Sequence, residues 1–151
     1  MTCLGIYDLI IIGGGPGGLT AGIYGMRAAL KAVLVEMGAP GGQVNLSDSV
    51  ENWPGDEHIG GSELSMKMYN HAQSYGLEIR SEEVVAIEPG LDFHIVRLAG
   101  GECLQGPAVI LATGGNPRKL EIPGEKELYG KGVSYCAVCD GFFFRNKTVA
   151  V

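Results

Sequence analysis

Positive charge is scarce in this sequence. Its 151 residues hold 11 Lys and Arg against 17 Asp and Glu, a formal net charge of -6, and Lys and Arg nowhere form a run that reverses the deficit locally. Such a surface repels phosphate backbones, which argues against nucleic acid as a partner. Long apolar runs are missing too. No stretch of about 18 uncharged apolar residues free of glycine clusters exists to span a bilayer. The start, MTCLGIYDLIIIGGG, has no basic leader and reaches Asp8 before any apolar stretch is long enough for a signal-peptide core. A cytoplasmic protein without membrane attachment is expected. Cysteine is limited to four residues, too few for a secreted disulfide scaffold. Only Cys136 and Cys139 lie close together, and in a reducing compartment such a pair reads as catalytic or metal-binding.

What is present is a globular composition, 46% hydrophobic and 19% charged, in a chain long enough to bury a sizeable core. Glycine is abundant at 25 residues, clustered as GGGPGG, GAPGGQ, IGG, AGG and ATGG, where close backbone approach to a ligand is expected. The apolar run Tyr7 to Ile12 reads as a buried parallel strand. Helical spacing of Leu19, Ile23 and Met26 behind Pro16 predicts a helix over 16–29, and AVLVE over 32–36 a second strand. Together they form a βαβ unit. Residues 37–61 read as a long functional loop. A helix is predicted over 62–75, capped by Ser62, with Leu64, Met68, His71 and Ala72 on its buried face. Strands follow at 77–87, 92–98 and 102–112, the last two joined by a hairpin turn at Ala99 to Gly101. NKTVAV at the end of the chain reads as the start of a further buried strand.

Two motifs carry chemistry. Gly13, Gly15 and Gly18 satisfy G-x-G-x-x-G between strand and helix. The first glycine permits the tight turn, the second lets the backbone approach a pyrophosphate, and the third lets helix and strand pack closely. Phosphate then rests on the helix N-terminus. Glu36 ends the second strand at about the offset where an acid binds ribose hydroxyls, which favours FAD or NAD over a 2′-phosphorylated nucleotide. The second motif is C-x-x-C, compatible with a metal knuckle, a redox dithiol or two buried bystander thiols. His58, His71 and His94 stand at no ligand spacing from the cysteines, so a zinc site is disfavoured. A two-residue spacer lets a small disulfide ring close and commonly lowers one thiol's pKa, which favours the redox reading. Asp140, directly behind Cys139, can relay a proton to a departing thiolate. Cys3 and Cys103 read as isolated structural cysteines. Phe142, Phe143 and Phe144 read most simply as core or domain-boundary packing.

Taken in order, IIIGGGPGGLTAGIY, PGGQV with VENWPG, LATGG, IPGE and GVSYCAVCDGFFFRNKTVAV resemble the low-molecular-weight thioredoxin reductase family along essentially the whole chain. The resemblance implies an α/β fold: a Rossmann-like FAD-binding domain, with a parallel central sheet and an antiparallel β-meander in a three-layer ββα arrangement, incomplete here. It places the FAD-binding segment at 1–116 and the start of an NADPH-binding domain, with the cysteine motif, at 117–151. It implies that Gly13, Gly14, Gly15, Pro16, Gly17 and Gly18 hold the FAD pyrophosphate and that Glu36 holds the adenosine ribose. Gly38, Ala39, Gly42, Gln43 and Asn52 would border the flavin side. Val84 would contact adenine through its backbone, and Thr113 and Gly114 would close the site. Electrons would pass from NADPH through FAD to a Cys136–Cys139 disulfide and on to thioredoxin. Cys139 would lie next to the flavin, Cys136 would exchange with substrate, and Asp140 would be the acid.

Family members run to roughly twice this length. The resemblance therefore implies an amino-terminal part, inactive with NADPH by itself, of a parent expected to be a homodimer. A nucleotide-binding module without turnover, or a flavin reductase serving a peroxidase or ferredoxin, are the competing expectations.

Overall fold

The structure, a computed structural model, describes Cys3 and residues 5–151. It divides into two compact units, Met1–Gly114 and Gly115–Val151.

The first unit is built on β2 (Leu9–Ile12), whose four residues are all buried, as a strand covered on both faces must be. It follows the two-residue β1 (Gly5–Ile6) and leads into α1 (Pro16–Arg27). That helix ends two residues before its predicted limit, because Ala28 caps it and Ala29 turns left-handed at φ 59°. β3 (Ala32–Glu36) matches its predicted range. The long loop contains a 3-10 turn, Gly42–Leu46, and an isolated antiparallel bridge between Val50 and Ile59.

α2 spans Gly61–Ser74, and Gly60, not Ser62, is its cap. Here backbone replaces side chain: the Gly61 N–H donates to Ser47 O at 3.0 Å. His71 is exposed and lies 5.6 Å from the Tyr75 ring one turn on. Leu64, Met68 and Ala72 hold the buried face without it.

Two predicted strands each split in two. The 77–87 segment becomes β4 (Glu78–Ser81) and β5 (Val84–Glu88), and the 102–112 segment becomes β7 (Cys103–Gly106) and β8 (Ala108–Leu111), with β6 (His94–Leu98) between them. In each case the chain leaves one sheet for the other. Pro107, which has no N–H to give a ladder, marks the second crossing. The resulting sheets have orders β4-β3-β2-β8, parallel throughout, and β1-β7-β6-β5. In the second sheet β5, β6 and β7 form an antiparallel meander, joined through the expected turn at Ala99 to Gly101.

Alternation along β2 sorts its side chains to two cores. Leu9 and Ile11 face α1 and α2 with Leu19, Leu34, Leu64 and Met68. Ile10 and Ile12 face the meander with Val33, Val96, Leu98 and Leu104. The layers are therefore meander, parallel sheet and helices, the three-layer α/β arrangement implied by the sequence. Ile10, Ile11, Val33 and Leu34 have no exposed surface, and burying such a side chain contributes roughly 1.5–3 kcal/mol.

The second unit holds two one-turn helices, α3 (Glu125–Leu128) and α4 (Ala137–Asp140), and a 3-10 turn, Gly141–Phe144. NKTVAV forms no strand, and Val149 and Val151 are exposed. An apolar run becomes a buried strand only beside paired neighbours, and no described residue pairs with it. Phe142 and Phe143 are exposed rather than core, with the Arg145 guanidinium 4.9 Å from the Phe142 ring centre.

Candidate functional site

In the parallel sheet, β2 is the first strand in the chain, and its neighbours β3 and β8 are reached by crossovers running in opposite directions across the sheet. Ligands of open α/β sheets bind at such a reversal, outside the carboxyl ends of the strands. Here those ends carry the glycine loop after β2 and Thr113-Gly114 after β8.

The loop fits an anionic ligand. Gly13 adopts φ 106°, and a Cβ there would lie 2.3 Å from Ala112 O and 3.0 Å from Thr113 N. A Cβ on Gly18 would fall 1.8 Å from Gly13 O, so the third glycine is required by the helix's approach to the strand. Gly15 and Gly17 differ: a Cβ on either would meet no protein atom within 4 Å. Protein packing does not demand glycine at these two positions, and the open side they leave admits a pyrophosphate. No side chain caps α1 and no acid stands in its first turn, so the helix start carries no capping side chain that would compete with an anionic ligand.

Glu36 is woven into the loop. Its Oε2 accepts from Gly14 N at 2.6 Å and its Oε1 from Gly38 N at 2.7 Å. Each oxygen keeps a further lone pair for a ribose hydroxyl. Gly41 N donates to Gly14 O at 2.7 Å, and a Cβ on Gly42 would lie 3.4 Å from Gly15 Cα. The structure thus brings Gly13 to Gly18, Glu36, Gly38, Gly42 and Thr113 together. Ala39 and Gln43 are exposed beside them in the chain, and Asn52 is exposed on the loop closed by the Val50–Ile59 bridge. Val84 opens β5 opposite Leu98, at a register shift. Beneath this region Ser65 is buried, its Oγ without a hydrogen-bond partner among the described residues.

In the second unit Cys136 and Cys139 are joined as a disulfide, with Cα atoms 5.2 Å apart. Cys136 is the cap residue of α4, and its Sγ accepts from Cys139 N at 3.1 Å. Cys139 is exposed and Cys136 half-buried. Ser134 ties the third member in: its hydroxyl contacts Asp140 Oδ2 at 2.5 Å and accepts from Cys136 N at 3.0 Å. Tyr135 donates to Glu125, the one buried residue of this unit. That bond is the leading cause that holds the Glu125 carboxyl below its usual range and pushes the Tyr135 hydroxyl up to about 12.

The profile of the pyridine nucleotide-disulphide oxidoreductase family matches residues 7–151. The chain belongs to this family. It is 48% identical over 146 residues to a thioredoxin reductase of Bacillus subtilis (strain 168), and 47% identical over 146 residues to one of Listeria monocytogenes. Each alignment takes in 97% of this chain and 46% of the relative. A solved thioredoxin reductase from Streptococcus pyogenes superposes with a TM-score of 0.86 at 45% identity, over 93% of this chain and 45% of that one. The chain thus spans about half the length of the curated relatives it matches.

Three features of this family member were not read from its sequence. Cys3 and Cys103, taken as isolated, form a second disulfide with Cα atoms 4.5 Å apart. Parallel pairing of β1 with β7, Gly5 opposite Leu104, brings them together. Ser134 and Tyr135 were quoted only as part of a motif, and Glu125 only as the end of IPGE. No local pattern marks them, since residues 134–136 form neither helix nor strand and Glu125 lies ten residues before Tyr135. Among the described residues no group of three or more His, Cys, Asp or Glu could hold a metal, and no helix is long and apolar enough to cross a membrane.

Proposed function

We propose that this chain supplies the FAD-binding and dithiol parts of a thioredoxin-reductase-type enzyme. The observation that carries the proposal is the Cys136–Cys139 disulfide, closed in the structure with Asp140 tethered beside it through Ser134. A two-residue spacer and a neighbouring carboxylic acid suit reversible thiol chemistry, whereas a structural crosslink between such near neighbours has little loop to restrain.

Gly13 to Gly18 are assigned to the FAD pyrophosphate through backbone N–H groups and the α1 N-terminus, and Glu36 to the adenosine ribose. Gly38, Ala39, Gly42, Gln43 and Asn52 are assigned to the flavin side, Val84 to adenine, and Thr113 and Gly114 to the wall against Gly13. A bound FAD supplies a two-electron carrier between a nicotinamide donor and a dithiol. Cys139 is assigned to electron exchange with this carrier, and Cys136 to exchange with the disulfide substrate. Asp140 Oδ2, held by Ser134, stands ready to hold the proton that a departing thiolate needs. In the whole protein NADPH is the donor and a thioredoxin-like protein disulfide the acceptor, with a cytoplasmic homodimer as the working form.

The test uses the full 151-residue chain. Reconstitution with FAD should give retained flavin absorbance, and Cys136→Ser and Cys139→Ser should each leave the remaining thiol open to alkylation. Absence of retained flavin, together with a cysteine pair that never oxidises, would sink the proposal.

A further inference from the structure

From residue 115 onward a single residue is buried, and it is a carboxylate: Glu125 is 5% exposed. An uncompensated charge in such a place is costly, and no cation among the described residues is paired with this one. Hydrogen bonds compensate it instead. Leu120 N donates to Oε1 at 2.8 Å and Glu121 N to Oε2 at 2.6 Å. These two close the Leu120 to Gly124 turn onto the start of α3, which a purely local role would require. The third donor is the Tyr135 hydroxyl, ten residues away in the chain and immediately before Cys136.

Tyr135 is also held through its ring, whose centre lies 5.6 Å from that of Tyr129. With Ser134 bonded to Asp140 and to the Cys136 N–H on the other side, the backbone that enters the cysteine motif is fixed from both directions. The two anchors differ in kind. Ser134 joins members of the motif to one another, whereas Glu125 joins the motif to something outside it.

We infer that Glu125 is a positioning residue for the Cys136–Cys139 pair, acting through the Tyr135 hydroxyl to hold the Cys136 backbone where its sulfur meets that of Cys139. The inference rests on the redox role proposed above. Holding one thiol in place raises its effective concentration at the other and so favours the disulfide over the dithiol. Releasing the anchor should therefore make the pair easier to reduce, with no change in the cysteines or in Asp140.

Dithiothreitol provides the test on the full chain. In each exchange the protein's S–S bond breaks and dithiothreitol closes its own ring disulfide, so two electrons and two protons pass from reagent to protein. The chain is equilibrated across mixtures of reduced and oxidised reagent. Alkylation and peptide mass then report Cys136 and Cys139 separately from Cys3 and Cys103. Tyr135→Phe, which removes only the hydroxyl, should shift the equilibrium constant roughly tenfold toward the dithiol, the scale of one hydrogen bond to a charged acceptor. Glu125→Gln should shift it in the same direction, and the double variant no further than the larger single shift, because the two residues act as one unit.

A lowered melting temperature with an unchanged constant in both single variants would make the contact merely structural and overturn the inference while leaving the redox reading intact. If Glu125→Gln does not fold, Tyr135→Phe decides alone. A wild-type pair that stays in one state across every mixture would overturn the redox reading, and this inference with it.

Discussion

Between Tyr7 and Leu111 the chain builds two apolar clusters on the opposite faces of one sheet, whereas from Gly115 onward the only buried side chain is that of Glu125. Stability in the first region comes from area removed from water, which is non-directional and spread over many residues. In the second it comes from a few directional contacts around one carboxylate and one disulfide. The difference suits the proposed roles. A cofactor cradle needs glycine backbone held to within a fraction of an ångström by a rigid sheet, while a dithiol that cycles needs to be anchored at few points.

The largest expected effect on this contrast comes from Ile11→Ala. Ile11 is fully buried, and its truncation should destabilise the first region by about 2–5 kcal/mol. Amide exchange resolved by segment would show protection lost in β2, β3 and α1; equal loss in residues 115–151 would break the distinction. Next comes Gly18→Ala, whose Cβ would fall 1.8 Å from Gly13 O. Forcing helix and strand apart should cost about 1–3 kcal/mol and abolish flavin retention, whereas Gly17→Ala, with open space around it, should fold as wild type. Measuring both by melting and flavin absorbance separates packing from ligand contact.

A pH titration reads the second region. Glu125 is held low, first by the Tyr135 bond, so its contribution is present above the ordinary carboxylate value and lost as pH falls through the depressed one. Tyr135 moves the other way, from 10.0 to about 12. Its contribution is present below pH 10 and lost as pH rises through about 12. Amide protection of residues 120–136 should therefore be level across neutral pH and fall at both extremes, and Tyr135→Phe should remove the alkaline fall. The smallest effect is expected from Ser65→Ala. Removing a buried hydroxyl that has no hydrogen-bond partner among the described residues should leave stability unchanged or raise it by up to about 1 kcal/mol in a melting experiment.

Much of the first region was legible because its signals are local. Period-two and period-3.6 patterns, a proline at a helix start and glycines at a strand end each act within a few residues, so β3 appears at its predicted limits and the loop after β2 where expected. Residues 77–87 and 102–112 read as single strands because a chain that crosses from one sheet to another keeps an extended backbone. Nothing in the hydrophobic pattern records which neighbour it pairs with. Ser62 resembled a helix cap, but the loop carbonyl of Ser47 had already satisfied the first turn.

The cysteines and the carboxylates show the same limit. Cys136 and Cys139 are three residues apart and declared themselves, whereas Cys3 and Cys103 needed the pairing of β1 with β7 to become partners. Glu36 was readable from its distance to the glycine loop. Glu125 was not, because its partner Tyr135 stands ten residues further along the chain.

The bond between Cys3 and Cys103, separated by 100 positions, turns nearly all of the first unit into a covalent ring. The helix-side core cluster, all of the meander-side cluster's buried members but Leu104, the glycine loop and all but one strand of the parallel sheet lie on its circumference. One peptide cleavage anywhere between those cysteines would open the ring without releasing a fragment. A machine that pulls this polypeptide through a narrow pore would have to draw two strands abreast, or first find a reductant.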